Sequence, residues 1–121
     1  MFDWHGYLRL AHELADRDDE AAQRSAISRA YYAAFSLARQ LLESEGVPLD
    51  AEGSIHSQVW DTFRNSADDV RYYIGIDGKG LRNFRNSADY ENEFVDVRKR
   101  TGQAIRKAES IVSSLVRVSF A

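Results

Sequence analysis

Residues Asp19 to Glu45 read DEAAQRSAISRAYYAAFSLARQLLESE, and this stretch decides the fold. Ile27, Ala30, Tyr31, Ala34, Ala38, Leu41 and Leu42 recur at three- and four-residue steps, the period of one helix face. Gly46 and Pro48 then remove the backbone conformations and donors that would extend the helix. At 1.5 Å per residue such a helix spans roughly 40 Å, which suits a central element around which shorter ones pack. Within it, Tyr31 and Phe35 share a face while Tyr32 turns to another, and Ala33 and Ala34 permit close approach of a neighbour.

Working outward, Trp4, Leu8, Ala11 and Leu14 with Ala15 predict an amphipathic helix over about Trp4 to Ala15, capped by Asp3. Downstream, the polar loop VPLDAEGS leads to a helix over Ile55 to Asn65, with Ser54 as cap and Ile55, Val59, Trp60 and Phe63 as its buried stripe. Residues 66 to 78 look irregular. The GIDGKG sequence is expected to interrupt any helix between Gly75 and Gly80, leaving a short helix over about Gly80 to Asn86. A last long helix is predicted over Asn92 to Val118, with Phe94, Val97, Thr101, Ala104, Ile105, Ala108, Ile111, Val112 and Leu115 on its apolar face. No strand pattern competes. The expectation is an all-α, up-and-down bundle of four to five helices, two of them long, forming one domain over residues 1–121.

Composition narrows the function classes. The 121 residues include no cysteine, which excludes disulfides and thiolate-bound metal and suits a reducing compartment. The N-terminal MFDWHGYLRLAHELADRDDE has no apolar signal core, and no run approaches membrane-spanning length, so a cytoplasmic protein without membrane contact is expected. The net charge of −3 conceals two sides: Asp16, Asp18, Asp19 and Glu20 against Arg98, Lys99, Arg100, Arg106, Lys107 and Arg117. Solvated helix faces are the plain account of both clusters. His5, His12 and His56 have no metal-ligand spacing, and Asp61, Asp68, Asp69 and Asp77 lack the alternation of a calcium loop, so no metal site is expected. Gly75, Gly78 and Gly80 match neither a dinucleotide fingerprint nor a P-loop, because Gly80 and Leu81 follow Lys79 where the P-loop needs Ser or Thr. No cofactor is expected.

The densest set of polar groups is Arg82, Asn83, Arg85, Asn86, Asp89 and Tyr90. Arginine offers a permanently charged planar fork to phosphate or carboxylate; asparagine can orient that fork, and tyrosine can stack on a base. Intramolecular pairing of Arg85, Asp89 and Tyr90 at a helix junction is the competing account.

RAYYAAF (Arg29 to Phe35), GSIHSQVWDTFR (Gly53 to Arg64) and RNSADYE (Arg85 to Glu91) resemble a branch of small stand-alone HEPN proteins, a superfamily of nucleic-acid-processing and toxin-like helical bundles. The resemblance covers most of residues 20 to 115 and implies a bundle that dimerises around a shared cleft. It further implies an RNA-directed role, as a metal-independent endoribonuclease or toxin of a toxin–antitoxin or defence system. The alternative it leaves is an inactive module that binds RNA, a nucleotide or a partner protein. The ribonuclease motif of the family is Arg, a polar residue, several more residues, then His. Arg85 and Asn86 match its start, but Tyr90 stands where the His belongs and no His follows His56. The implied catalytic residues are therefore Arg85, Asn86 and Tyr90, with His56 or His12 entering the cleft from another helix or from the partner subunit. Arg82, Asp89, Arg29 and Tyr32 are the implied binding residues. A partner of nucleotidyltransferase type, acting on Tyr90, is a further implication of the resemblance.

Overall fold

The computed structural model describes residues 1–50 and 52–119. It contains five helices: α1 (His5–Ala15), α2 (Glu20–Ser44), α3 (Ile55–Arg64), α4 (Asp69–Tyr90) and α5 (Val97–Ser119). No strand occurs among the described residues. The protein is an all-α helical bundle.

The helix starts are set by short polar side chains that take otherwise orphaned backbone donors. Asp19 accepts from the Ala22 N–H at 3.2 Å, Ser54 from Ser57 at 3.3 Å, and Asp68 from Arg71 at 2.9 Å. Asp3 caps differently from expectation: Trp4 holds the cap position of α1, and Asp3 accepts from the His5 N–H at 3.0 Å. At the other end of α2, Gly46 adopts a left-handed φ of 77°, and the chain turns.

One contiguous core joins all five helices. α2 supplies Ile27, Ala30, Tyr31, Ala34, Ala38 and Leu42, α3 supplies Val59, Trp60 and Phe63, and α5 adds Ala104, Ala108, Ile111 and Leu115. α2 lies at the centre, packed on α1, α5, α4 and, more narrowly, α3. The alanines expected to permit close approach, Ala33 and Ala34, are both fully buried.

Two further sequence expectations are corrected. GIDGKG does not break a helix, because α4 runs without interruption from Asp69 to Tyr90. The cause is tertiary. Trp60 of α3 lies directly against the glycines: a Cβ on Gly78 would stand 2.1 Å from Trp60 Cε3, and one on Gly75 would stand 2.4 Å from the Arg64 backbone N. The glycines let two helices touch where any side chain would hold them apart, and burial of the indole compensates the weak helix propensity.

The last helix begins at Val97 rather than Asn92. Residues 91–96 form instead a connection in which Phe94 is buried and Asp96 takes a left-handed φ of 55°. Arg24 of α2 holds this connection. Its guanidinium donates to the carbonyls of Ala88 at 3.1 Å, Glu91 at 2.5 Å and Asn92 at 3.3 Å, and lies 5.3 Å from the centre of the Phe94 ring. A charged fork therefore satisfies the exposed carbonyl end of α4, the arrangement favoured by its dipole. Arg24→Met, which keeps the aliphatic stem and deletes these bonds, is expected to lower stability by about 1–2 kcal/mol. The urea midpoint at unchanged m-value measures this.

Candidate functional site

Seven of the eight candidate residues, all but Arg29, meet on one side of the bundle, where α2, α3 and α4 come together. Arg85 is the hub. Its guanidinium carbon lies 5.1 Å from the centre of the Tyr32 ring and 5.5 Å from that of Tyr90. Its Nη1 donates to Asn86 Oδ1 at 3.1 Å and its Nη2 to the Tyr90 hydroxyl at 3.5 Å.

Arg85 Nε stands 2.8 Å from Asp89 Oδ2, an ion pair by distance, yet its N–H is not directed at that oxygen and it finds no hydrogen-bond partner among the described residues. Asp89 also accepts from the Ser28 hydroxyl of α2 at 3.3 Å. The Arg85 side chain is only 15% exposed. Its charge is thus partly desolvated and partly neutralised, whereas Tyr90 is 73% exposed.

One helical turn earlier, Arg82 donates to Ser57 Oγ at 3.0 Å and to Ser54 Oγ at 3.4 Å, and so fastens α4 to the first turn of α3. Its Nε, like that of Arg85, is buried without a hydrogen-bond partner among the described residues. Between the two serines in sequence stands His56. Its ring stacks on Phe35 with centroids 4.2 Å apart, and Tyr32 approaches edge-on at 6.0 Å. His56 Nδ1 is 2.7 Å from the Tyr31 hydroxyl, which in turn accepts from Trp60 Nε1 at 3.0 Å.

The electrostatics follow from this crowding. Burial pushes the His56 imidazole down to about 4, and the positive charges of Arg82, Arg85 and Arg39 act in the same direction. His56 is therefore neutral at physiological pH. Burial also pushes the Tyr31 hydroxyl up to about 12, against the opposing effect of the Trp60 hydrogen bond.

The lowered His56 value has a consequence for stability. Unfolded, the imidazole takes its proton near 6.5; folded, it does so only near 4. Between these values the unfolded chain binds more protons, so stability is full above about 6.5 and falls as the pH drops toward 4. The ring is partly exposed, and solvent screening leaves a contribution of about 1 kcal/mol. Melting temperatures recorded across this window should fall with acid in the wild type and fall less in His56→Gln.

Other sequence candidates lie elsewhere. Arg29 points away from Arg85 and covers the Tyr7 ring of α1, 4.9 Å from its centre. The acidic and basic clusters, distant in sequence, meet through an ion pair between Asp18 and Arg98, and Lys107 pairs with Asp77 at 3.6 Å. Part of the basic face of α5 is thereby engaged within the protein. A groove of about 620 Å³ opens between the C-terminal halves of α2 and α5, lined by Leu37, Leu41, Val112, Leu115 and Val116, away from the arginines. Among the described residues, no three His, Asp or Glu side chains gather in a way that could hold a metal ion. Among the described residues no helix is long and apolar enough to cross a membrane.

The sequence reading placed Tyr31 and Trp60 in the core alone and missed their polar ends. Spacing carried a signal, because His56 and Trp60 are one helical turn apart and share a face of α3. Compared with family models, curated proteins and solved structures, the chain matches none.

Proposed function

We propose that the protein is a HEPN-like RNA-binding module in which Arg82, Arg85 and His56 take a phosphodiester and the rings of Tyr32 and Tyr90 receive a neighbouring base. The observation that supports this reading is the convergence of two guanidinium groups and a neutral imidazole from α3 and α4, with aromatic rings against Arg85. Arginine forks recognise phosphate, and exposed tyrosine faces stack on unpaired bases. The side-chain amide of Asn86 holds one arm of the Arg85 fork in place.

Titrating fluorescently labelled single-stranded RNA at rising salt tests the reading. Log affinity should fall by about 0.7 per decade of salt for each phosphate neutralised. A salt-independent affinity, or none, overturns it.

Cleavage is the second reading, and the specific observation in its favour is His56. It stands beside Arg82 and Arg85 and is held neutral, so that its ring N–H can donate to the scissile phosphate without adding charge. In that role Arg85 would oppose the charge building on the scissile phosphate. Incubation with total RNA distinguishes the two. Cleavage that disappears in both Arg85→Ala and His56→Gln supports an endoribonuclease; binding without cleavage supports the inactive module.

A further inference from the structure

The hydrogen bonds behind His56 fix which of its nitrogens carries the proton. An indole N–H only donates, so at 3.0 Å the Tyr31 oxygen accepts from Trp60. Tyr31 is fully buried, and its own proton therefore needs an acceptor inside the protein. The one within reach among the described residues is His56 Nδ1, 2.7 Å away. The chain of donors runs from Trp60 to Tyr31 to His56, which leaves Nδ1 unprotonated and places the proton of the neutral ring on Nε2. The reverse tautomer would point Nδ1–H at the Tyr31 oxygen and strand a buried hydroxyl proton, a bias of roughly tenfold to hundredfold against it.

We propose that Trp60 and Tyr31 set His56 as a neutral, directed Nε2–H donor for a phosphate-type anion, with Tyr31 the residue that positions it. Three further observations support the ligand class. Nε2 makes no hydrogen bond among the described residues and is not buried. The ring is clamped flat against Phe35, with an interplanar angle of 19°, so the donor has a fixed direction. Arg82 and Arg85 both act on this ring electrostatically, and the upward push on the Tyr31 hydroxyl keeps the relay protonated. A neutral donor beside two cations adds a hydrogen bond to an anion without adding a third repelling charge. The tautomer rests on the hydrogen bonds alone; the phosphate ligand rests on the reading in "Proposed function".

Nitrogen-15 NMR of the labelled wild-type protein at pH 7 reads the tautomer directly. His56 is expected with its proton on Nε2, and inorganic phosphate is expected to shift that proton. Tyr31→Phe, confirmed as folded by circular dichroism, should show mixed tautomers and bind phosphate roughly two- to tenfold more weakly. The wild-type spectrum decides the tautomer even where that variant does not fold. A proton on Nδ1, or a charged ring, overturns the inference. An Nε2–H that ignores phosphate overturns the phosphate-binding reading and leaves the relay standing.

Discussion

Gly78→Ala is expected to destabilise the protein by about 2–3 kcal/mol, although the same change in an exposed helix stabilises by about 1 kcal/mol. The sign is set by Trp60. A methyl at Gly78 would lie 2.1 Å from Cε3, 2.3 Å from Cδ2 and 2.5 Å from Cζ3 of an indole that is fully buried. The ring has little freedom to retreat, because its Nε1 is bonded to Tyr31 and its six-membered edge meets the glycine. Relief therefore requires α3 and α4 to separate, and close-packed interiors resist that. Chemical denaturation measures the loss. Combining Gly78→Ala with Trp60→Leu supplies the control: a smaller residue removes the clash, so the double variant should be more stable than the sum of the single effects. Strict additivity would show that the ring does not meet the glycine.

The same contact explains which parts of the fold were legible in the sequence. α2 announces itself through seven apolar positions on one face and a Gly–Pro stop, signals that depend on no other segment. The helix over residues 69–90 was hidden because its local signals favour a turn, and the helical state is selected by Trp60, fifteen to eighteen positions earlier in the chain. The late start of α5 has a similar origin, since carbonyls that a longer helix would have used are bonded by Arg24. At the candidate site, Arg85 with Asp89 and Tyr90 could be read as one cluster because helical neighbours meet at short spacing. The approach of His56 to Tyr31 could not. It depends on how α2 crosses α3, and no periodicity encodes that crossing. Arg29 shows the converse limit: it lies one turn from Tyr32 in sequence, yet its long side chain turns to Tyr7 on α1.

Arg85 and Asp89 are expected to move RNA affinity in opposite directions. Arg85→Ala removes the guanidinium that faces Tyr32 and Tyr90 and should weaken RNA binding by roughly 10- to 100-fold, the scale of a charge-assisted phosphate contact. Asp89→Asn should strengthen it several-fold. The carboxylate stands 2.8 Å from Arg85 Nε and competes with a phosphate for the same charge, while the amide keeps the shape and can still accept from Ser28. Stability separates this from a purely structural cluster. Breaking a partly buried ion pair from either side should cost folding free energy in both variants, so denaturation midpoints should fall together while affinities diverge. If Arg85 served only to tie α4 together, both substitutions would lower stability and neither would change RNA binding beyond the loss of folded protein. Opposite signs of affinity at equal signs of stability therefore identify Arg85 as a ligand contact held in reserve by its neighbour. Measuring both quantities on the same preparations makes the distinction direct.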